Sequence, residues 1–200
     1  MNLFLSKKNN GFFSETSLGF TIVELLIVIT IIGVMAGVVW VNYSEFNKVF
    51  SLERSANQTA QEIRMVLEKA ISVEIPEGAV GEDFKGGYGV FFEIDQDNFI
   101  VFIDTNNTGR FNSGDNPIIK EFFFESGVKI KNAQLLGDPN CNDQKNFRSV
   151  VFLPPDPTVF IGGKISEKSR CDSIEVILTH EYLDEDRKIK VNRAGLIELE

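Results

Sequence analysis

The chain has 200 residues, 43% of them hydrophobic and 11% aromatic, and its 20 Lys and Arg against 29 Asp and Glu give a formal charge of −9. That composition excludes a disordered chain, and the length suits one domain plus an anchor. The acidic balance without a basic stripe argues against nucleic acid as a partner, and two cysteines with one histidine exclude a structural zinc site.

A polar leader holds Lys7 and Lys8 and ends in Thr16-Ser17-Leu18-Gly19. An apolar run then extends from Phe20 to Val41, and no residue from Leu25 to Val41 is charged. This length matches a hydrocarbon layer about 30 Å thick. A secretory signal peptide would have a shorter apolar region closed by a small-residue cleavage site. Here the run passes into Asn42-Tyr43-Ser44-Glu45 without a break. A membrane anchor fits better, with Lys7 and Lys8 keeping the N-terminus in the cytoplasm and sending the rest out. The anchor alone leaves Glu24 unexplained. A carboxylate in a span costs about 2–3 kcal/mol by insertion scales and asks for a partner. Were the chain cut before Phe20, the new amine would lie one helical turn from Glu24 of its own or a neighbouring chain. The positive end of the helix dipole helps the carboxylate further.

The segment Gly19-Phe20-Thr21-Ile22-Val23-Glu24-Leu25-Leu26 resembles the processing motif of type IV pilins and type II secretion pseudopilins. The resemblance implies cleavage between Gly19 and Phe20 by a prepilin peptidase, and N-methylation of Phe20. It also implies that Glu24 docks a subunit against its neighbour's N-terminus. The leader departs from the pattern in its length and in carrying Glu15 near the cut.

From Tyr43 to Ser72 there is no Gly or Pro. Apolar or small residues recur at Phe46, Val49, Phe50, Ala56, Ala60, Ile63, Val66, Leu67, Ala70 and Ile71, with charged residues between them. This spacing predicts one helix from about Phe20 to Ser72, roughly 80 Å long at 1.5 Å per residue. Its first half is apolar all round and its second half amphipathic. Gly33 and Gly37 would let helices approach closely, or are incidental in a glycine-tolerant span. Ile75-Pro76-Glu77-Gly78 reads as the helix stop.

Strand-like runs follow at Tyr88–Ile94, Phe99–Ile103, Ile118–Phe124, Val128–Leu136, Phe147–Leu153, Ser173–Thr179 and Lys188–Leu199, the last with a turn at Arg193-Ala194-Gly195. Short alternating runs between turn signals predict a mostly antiparallel sheet or pair of sheets. The fold class is therefore α+β, a long N-terminal helix packed on a β domain. Residues 1–19 read as leader, 20–44 as the membrane and assembly half of the helix, 45–75 as its amphipathic half, and 76–200 as an extracytoplasmic β domain. The layout of this domain resembles, more loosely, the GspH/FimT group of minor pseudopilins. The shared features are the acidic turn at Phe102-Ile103-Asp104-Thr105-Asn106, the run Phe152-Leu153-Pro154-Pro155 and the closing Ile189–Ile197 segment.

The loop Asp104–Asp115 places oxygen donors at Asp104, Asn106 and Thr108, a sharp-turn glycine at Gly109, and Asp115 in the last position of a calcium-loop spacing. Thr108 and Asp115 both depart from the usual donors, and both flanks read as strands. A hairpin turn rich in Asn and Gly explains the same residues by backbone preference. Cys141 and Cys171 lie in polar, turn-rich surroundings; an exported domain favours a disulfide between them, against two free thiols. His180-Glu181-Tyr182 with Asp184, Glu185 and Asp186 reads as a solvated turn rather than an acid/base site, and Pro154-Pro155-Asp156-Pro157 as a rigid loop. No GxSxG, P-loop, HExxH or GxGxxG pattern occurs, so the chain is expected to act by assembly and not by catalysis.

The expected role is a structural subunit, a minor one, of a type II secretion pseudopilus or type IV pilus. Its partners would be other pilin or pseudopilin subunits, a prepilin peptidase and an inner-membrane assembly platform. It would reside in the inner membrane as a single-pass precursor before joining an extracytoplasmic filament. The rival from another class is a membrane-tethered extracellular binding module, its β domain stabilised by calcium.

Overall fold

The computed structural model describes residues 19–72, 86–137, 141, 148–154, 158–162 and 171–200. The leader before Gly19, the helix stop expected at 75–78 and most of the proline run at 154–157 lie outside the described residues.

A single 50-residue helix, α1, spans Ile22–Ile71, within two residues of the predicted ends. The chain divides into two compact units, up to Tyr43 and from Ser44 onward. In the first unit every described helix residue is exposed. In the second, α1 buries Leu52, Ala56, Ala60, Ile63, Val66 and Ala70 together with Ser51, Ser55 and Thr59. This face differs from the expected stripe, because Phe46, Phe50 and Ile71 are exposed. The side chains at 55, 56, 59 and 60 on this buried face are all small, Ser55, Ala56, Thr59 and Ala60. The hydroxyls stay satisfied: Thr59 Oγ1 donates to the Ser55 carbonyl at 2.7 Å, and Ser55 Oγ accepts from the Glu125 amide at 3.1 Å. Ion pairs flank this face, Arg54 binding Glu125 through two nitrogens at 2.5 and 2.6 Å and Glu53 facing Arg187 at 3.5 Å.

Among the described residues nine strands follow: β1 (Gly87–Phe92), β2 (Asn98–Asp104), β3 (Ile118–Phe123), β4 (Val128–Gly137), β5 (Ser149–Leu153), β6 (Thr158–Ile161), β7 (Cys171–His180), β8 (Asp186–Asn192) and β9 (Ile197–Leu199). They form a five-stranded sheet ordered β3-β2-β1-β5-β6 and a four-stranded sheet ordered β4-β7-β8-β9, with every described pairing antiparallel. The predicted runs all become strands, and the last one splits at the expected turn into β8 and β9. β6 is an additional strand. Its four residues follow the proline run too closely to show any periodicity, and it exists because β5 offers a partner edge.

The sheets meet where β4 carries a bulge between Ile130 and Asn132. There the Asp95 amide donates to the Ile130 carbonyl at 2.8 Å, and the Ile130 amide to the Gln96 carbonyl at 2.9 Å. Arg148, just before β5, donates from Nε to the Ala133 carbonyl at 3.0 Å. The main core lies between the second half of α1 and the facing sides of the sheets, around Phe92, Phe99 and Phe122; the Phe99 and Phe122 rings stack at 5.0 Å.

A second apolar cluster covers the opposite side of the five-stranded sheet. Phe111, from the β2–β3 loop, lies 5.0 Å from Phe91 and 5.1 Å from Phe102. Gly89 beneath leaves room for the Phe102 ring, which any Cβ at that position would strike. His180 corrects the reading of a solvated turn. It ends β7, buried, beneath Gly127, and its Nδ1 accepts the Tyr182 amide at 3.2 Å. Glu181 and Tyr182 beyond it are exposed, as a turn requires.

Candidate functional site

The residues singled out for processing and assembly sit at the start of α1. Gly19, Phe20 and Thr21 are non-helical and exposed, so the Gly19–Phe20 bond lies outside the helical hydrogen-bond ladder. Thr21 is the N-cap, and its carbonyl accepts the first helical bond, from the Leu25 amide at 3.1 Å. Glu24 stands at the third helical position, where a capping box places an acid. The exchange is reciprocal. The Glu24 amide donates to Thr21 Oγ1 at 3.2 Å. Glu24 Oε2 accepts from the Thr21 amide at 2.9 Å and from Thr21 Oγ1 at 3.0 Å.

This arrangement uses one carboxylate oxygen and holds the side chain back over the helix start. Among the described residues no bond engages Oε1. The carboxylate therefore keeps one oxygen, and its charge, facing outward at the end of the helix where the dipole favours an anion. A cation brought there meets a fixed acceptor. Thr21 is the residue that reading Glu24 alone missed. The Thr-x-x-Glu spacing signals it, as a capping box before an apolar run.

Beyond the cap, the helix carries no charge until Glu45. Thr30 is satisfied within the span, its Oγ1 donating to the Leu26 carbonyl at 2.7 Å. Nothing lies within 4 Å of the positions a Cβ would occupy at Gly33 and Gly37. The described helix is long and apolar enough to cross a membrane.

The loop after β2 brings its oxygens together by hydrogen bonding. Asp104 is fully buried. Its Oδ2 accepts the Gly109 amide at 2.6 Å and its Oδ1 the Thr108 amide at 3.1 Å. Thr108 Oγ1 lies 2.7 Å from Asn106 Oδ1. Asp115 is set apart, its Oδ2 accepting from Asn112 Nδ2 at 2.6 Å and its carbonyl from Thr105 Oγ1 at 3.0 Å. Gly109 and Asn107 adopt φ of 69° and 52°, the left-handed geometry that Asn and Gly favour in turns. Cys141 and Cys171 are joined by a disulfide with Cα atoms 5.1 Å apart, both buried in the core.

Residues 16–40 match the family model described as the prokaryotic N-terminal methylation motif. No curated protein and no solved structure matches the chain. The matched segment contains Gly19, Phe20, the Thr21–Glu24 capping box and most of the apolar run. The N-terminal segment of this chain thus carries a prokaryotic N-terminal methylation motif, which opens the long apolar part of α1.

Proposed function

We propose that the protein is a structural subunit of a type II secretion pseudopilus or type IV pilus, of the minor GspH/FimT-like kind. A prepilin peptidase cuts between Gly19 and Phe20, Phe20 is N-methylated, and the helix waits in the inner membrane. An assembly platform then passes the helix into a bundle of related subunits. The chain works by docking and performs no chemistry of its own. The observation that carries this reading is the methylation motif coinciding with the one acid of the apolar helix, held at its open end with an oxygen to spare. The amine created at Phe20 supplies the cation that such an acid needs, and pairing between neighbours fixes their axial register.

Mass spectrometry of the N-terminus in a host with the cognate peptidase tests the first step. The mature chain is expected to begin at N-methyl-Phe20. Glu24→Ala tests the second: the variant should still be cut but fail to enter filaments. A native protein that keeps residues before Phe20, or an alanine variant that assembles normally, overturns the reading in favour of a tethered binding module.

A further inference from the structure

Among the exposed residues of the first unit, Trp40 and Tyr43 differ from the rest. Trp40 is 83% exposed and Tyr43 66% exposed. They lie three residues apart, so they share one side of α1. Trp40 is the only tryptophan in the chain. Both stand where the apolar run ends, just before Glu45, the first charge after Glu24. The run below them is exposed on all sides, and a helix partner would cover only one side. A lipid phase covers every side, and its boundary with water favours Trp and Tyr, whose rings are apolar and whose N–H and O–H groups seek water.

Building on the membrane-anchored precursor proposed above, we infer that Trp40 and Tyr43 form an interfacial collar that binds the outer lipid–water boundary and sets how deep the helix sits. The arithmetic of the helix then places the other end. From Ile22 to Trp40 the rise is about 27 Å at 1.5 Å per residue, against a hydrocarbon core of about 30 Å. Glu24, about 24 Å below Trp40, lies within about one turn of the inner boundary. There a carboxylate costs less than at the bilayer centre, and the Thr21 cap and the Phe20 amine lie at the water's edge. Depth set by two aromatics at one end thus determines whether the acid at the other end is sheltered or stranded.

The lone tryptophan makes this measurable. The full chain is reconstituted into lipid vesicles, and Trp40 fluorescence is recorded with lipids brominated near the headgroup or near the chain terminus, and with aqueous acrylamide. Headgroup-side bromines should quench Trp40 more than terminal ones, with partial quenching by acrylamide. Moving the reporter with the double variant W40F/Y43W, about 4.5 Å outward, should weaken lipid quenching and strengthen acrylamide quenching. Strongest quenching by the terminal bromines overturns the collar, as does no lipid quenching while the protein floats with the vesicles. Shielding of Trp40 from both kinds of quencher also overturns it and points to a second copy packed on this side. A chain that fails to float with the vesicles at all defeats the membrane-anchor reading itself.

Discussion

Replacing Asp104 isolates what its buried carboxylate does. Two backbone amides depend on it, Gly109 at 2.6 Å and Thr108 at 3.1 Å. A buried amide left without an acceptor costs about 1–3 kcal/mol; the Gly109 contact is buried and the Thr108 contact partly so, so Asp104→Ala should destabilise the domain by about 2–4 kcal/mol. Asp104→Asn keeps one acceptor oxygen and should lose about half of that. Thermal melting of the full chain in detergent, followed by circular dichroism, reads the global cost. Amide exchange at Thr108 and Gly109 reads the local one, and both amides should lose protection. Calcium separates the two explanations of the loop. An ion at a hundred times its dissociation constant adds about 2.7 kcal/mol, about 5–10 °C for a chain of this size. With Asp104 engaged by amides, Thr108 by Asn106, and Asp115 by Asn112, melting in calcium and in EDTA should coincide. A calcium-dependent rise of that size, abolished by Asp104→Ala, would refute the turn reading and make Asp104 an ion ligand.

Three further perturbations probe the domain. Replacing both cysteines by serine opens a loop with a sequence separation of 30 and should cost about 3–4 kcal/mol on chain-entropy grounds, read by denaturant titration with and without reductant; coincident curves would show that the bond contributes nothing. Gly127→Ala combines a φ of 85° with a Cβ 2.8 Å from His180 Nε2, so it should cost more than about 1 kcal/mol, whereas Gly114→Ala, with only the Asn112 Oδ1 nearby at 3.8 Å, should be almost silent. Burial raises the Glu62 carboxyl above its ordinary value, and Lys120, 3.9 Å away, opposes this only in part. A raised folded-state value means the folded state holds its proton longer, so this residue's contribution to stability falls as pH climbs from the ordinary Glu range through the raised value. Glu62→Gln should therefore flatten the stability profile across that window and be favourable above it; a variant less stable than wild type at neutral pH would show that the Lys120 pair outweighs desolvation.

The helix and the strand-rich class were legible because local chemistry specifies them. An unbroken run without Gly or Pro leaves little alternative to α1, and the alternation in β4 and β7 reports a half-covered sheet. The expected stripe on α1 holds at Ala56, Ala60, Ile63, Val66 and Ala70, which are buried, and fails at Phe46, Phe50 and Ile71, which are exposed. Hydrophobicity ranks Phe46 and Phe50 above Ser55 and Thr59, but the latter two are small and their hydroxyls are satisfied when buried, Thr59 by the Ser55 carbonyl and Ser55 by the Glu125 amide. β6 pairs with β5 just before it, across the proline run, and its four residues are too few to show a period; the role of Phe111 depends on partners farther away in sequence, Phe91 and Phe102. His180 looked solvated because its chain neighbours are charged, while its actual cover comes from Gly127 on another strand's approach. At the helix start the reverse holds: both members of the capping box lie within one turn, so the site could be read complete from four residues.

That compactness raises a question about Glu24 which alanine substitution cannot resolve, since alanine removes cap and charge together. The capping bonds involve Oε2 and the Thr21 amide and hydroxyl. A glutamine offers a carbonyl oxygen at the same place, and capping boxes accept either residue. Glu24→Gln therefore keeps the helix start and removes the anion. If the outward oxygen pairs with a neighbour's Phe20 amine, the glutamine variant should be cleaved normally, retain helix content in micelles, and yet assemble as poorly as alanine. Filament yield and crosslinking between residues near the helix starts measure this. An amine pair in low-dielectric surroundings is stronger than one in water, so the loss should persist at high salt. Should the glutamine variant assemble like wild type while alanine fails, Glu24 would be acting as the helix cap, and subunit register would have to come from contacts elsewhere along α1.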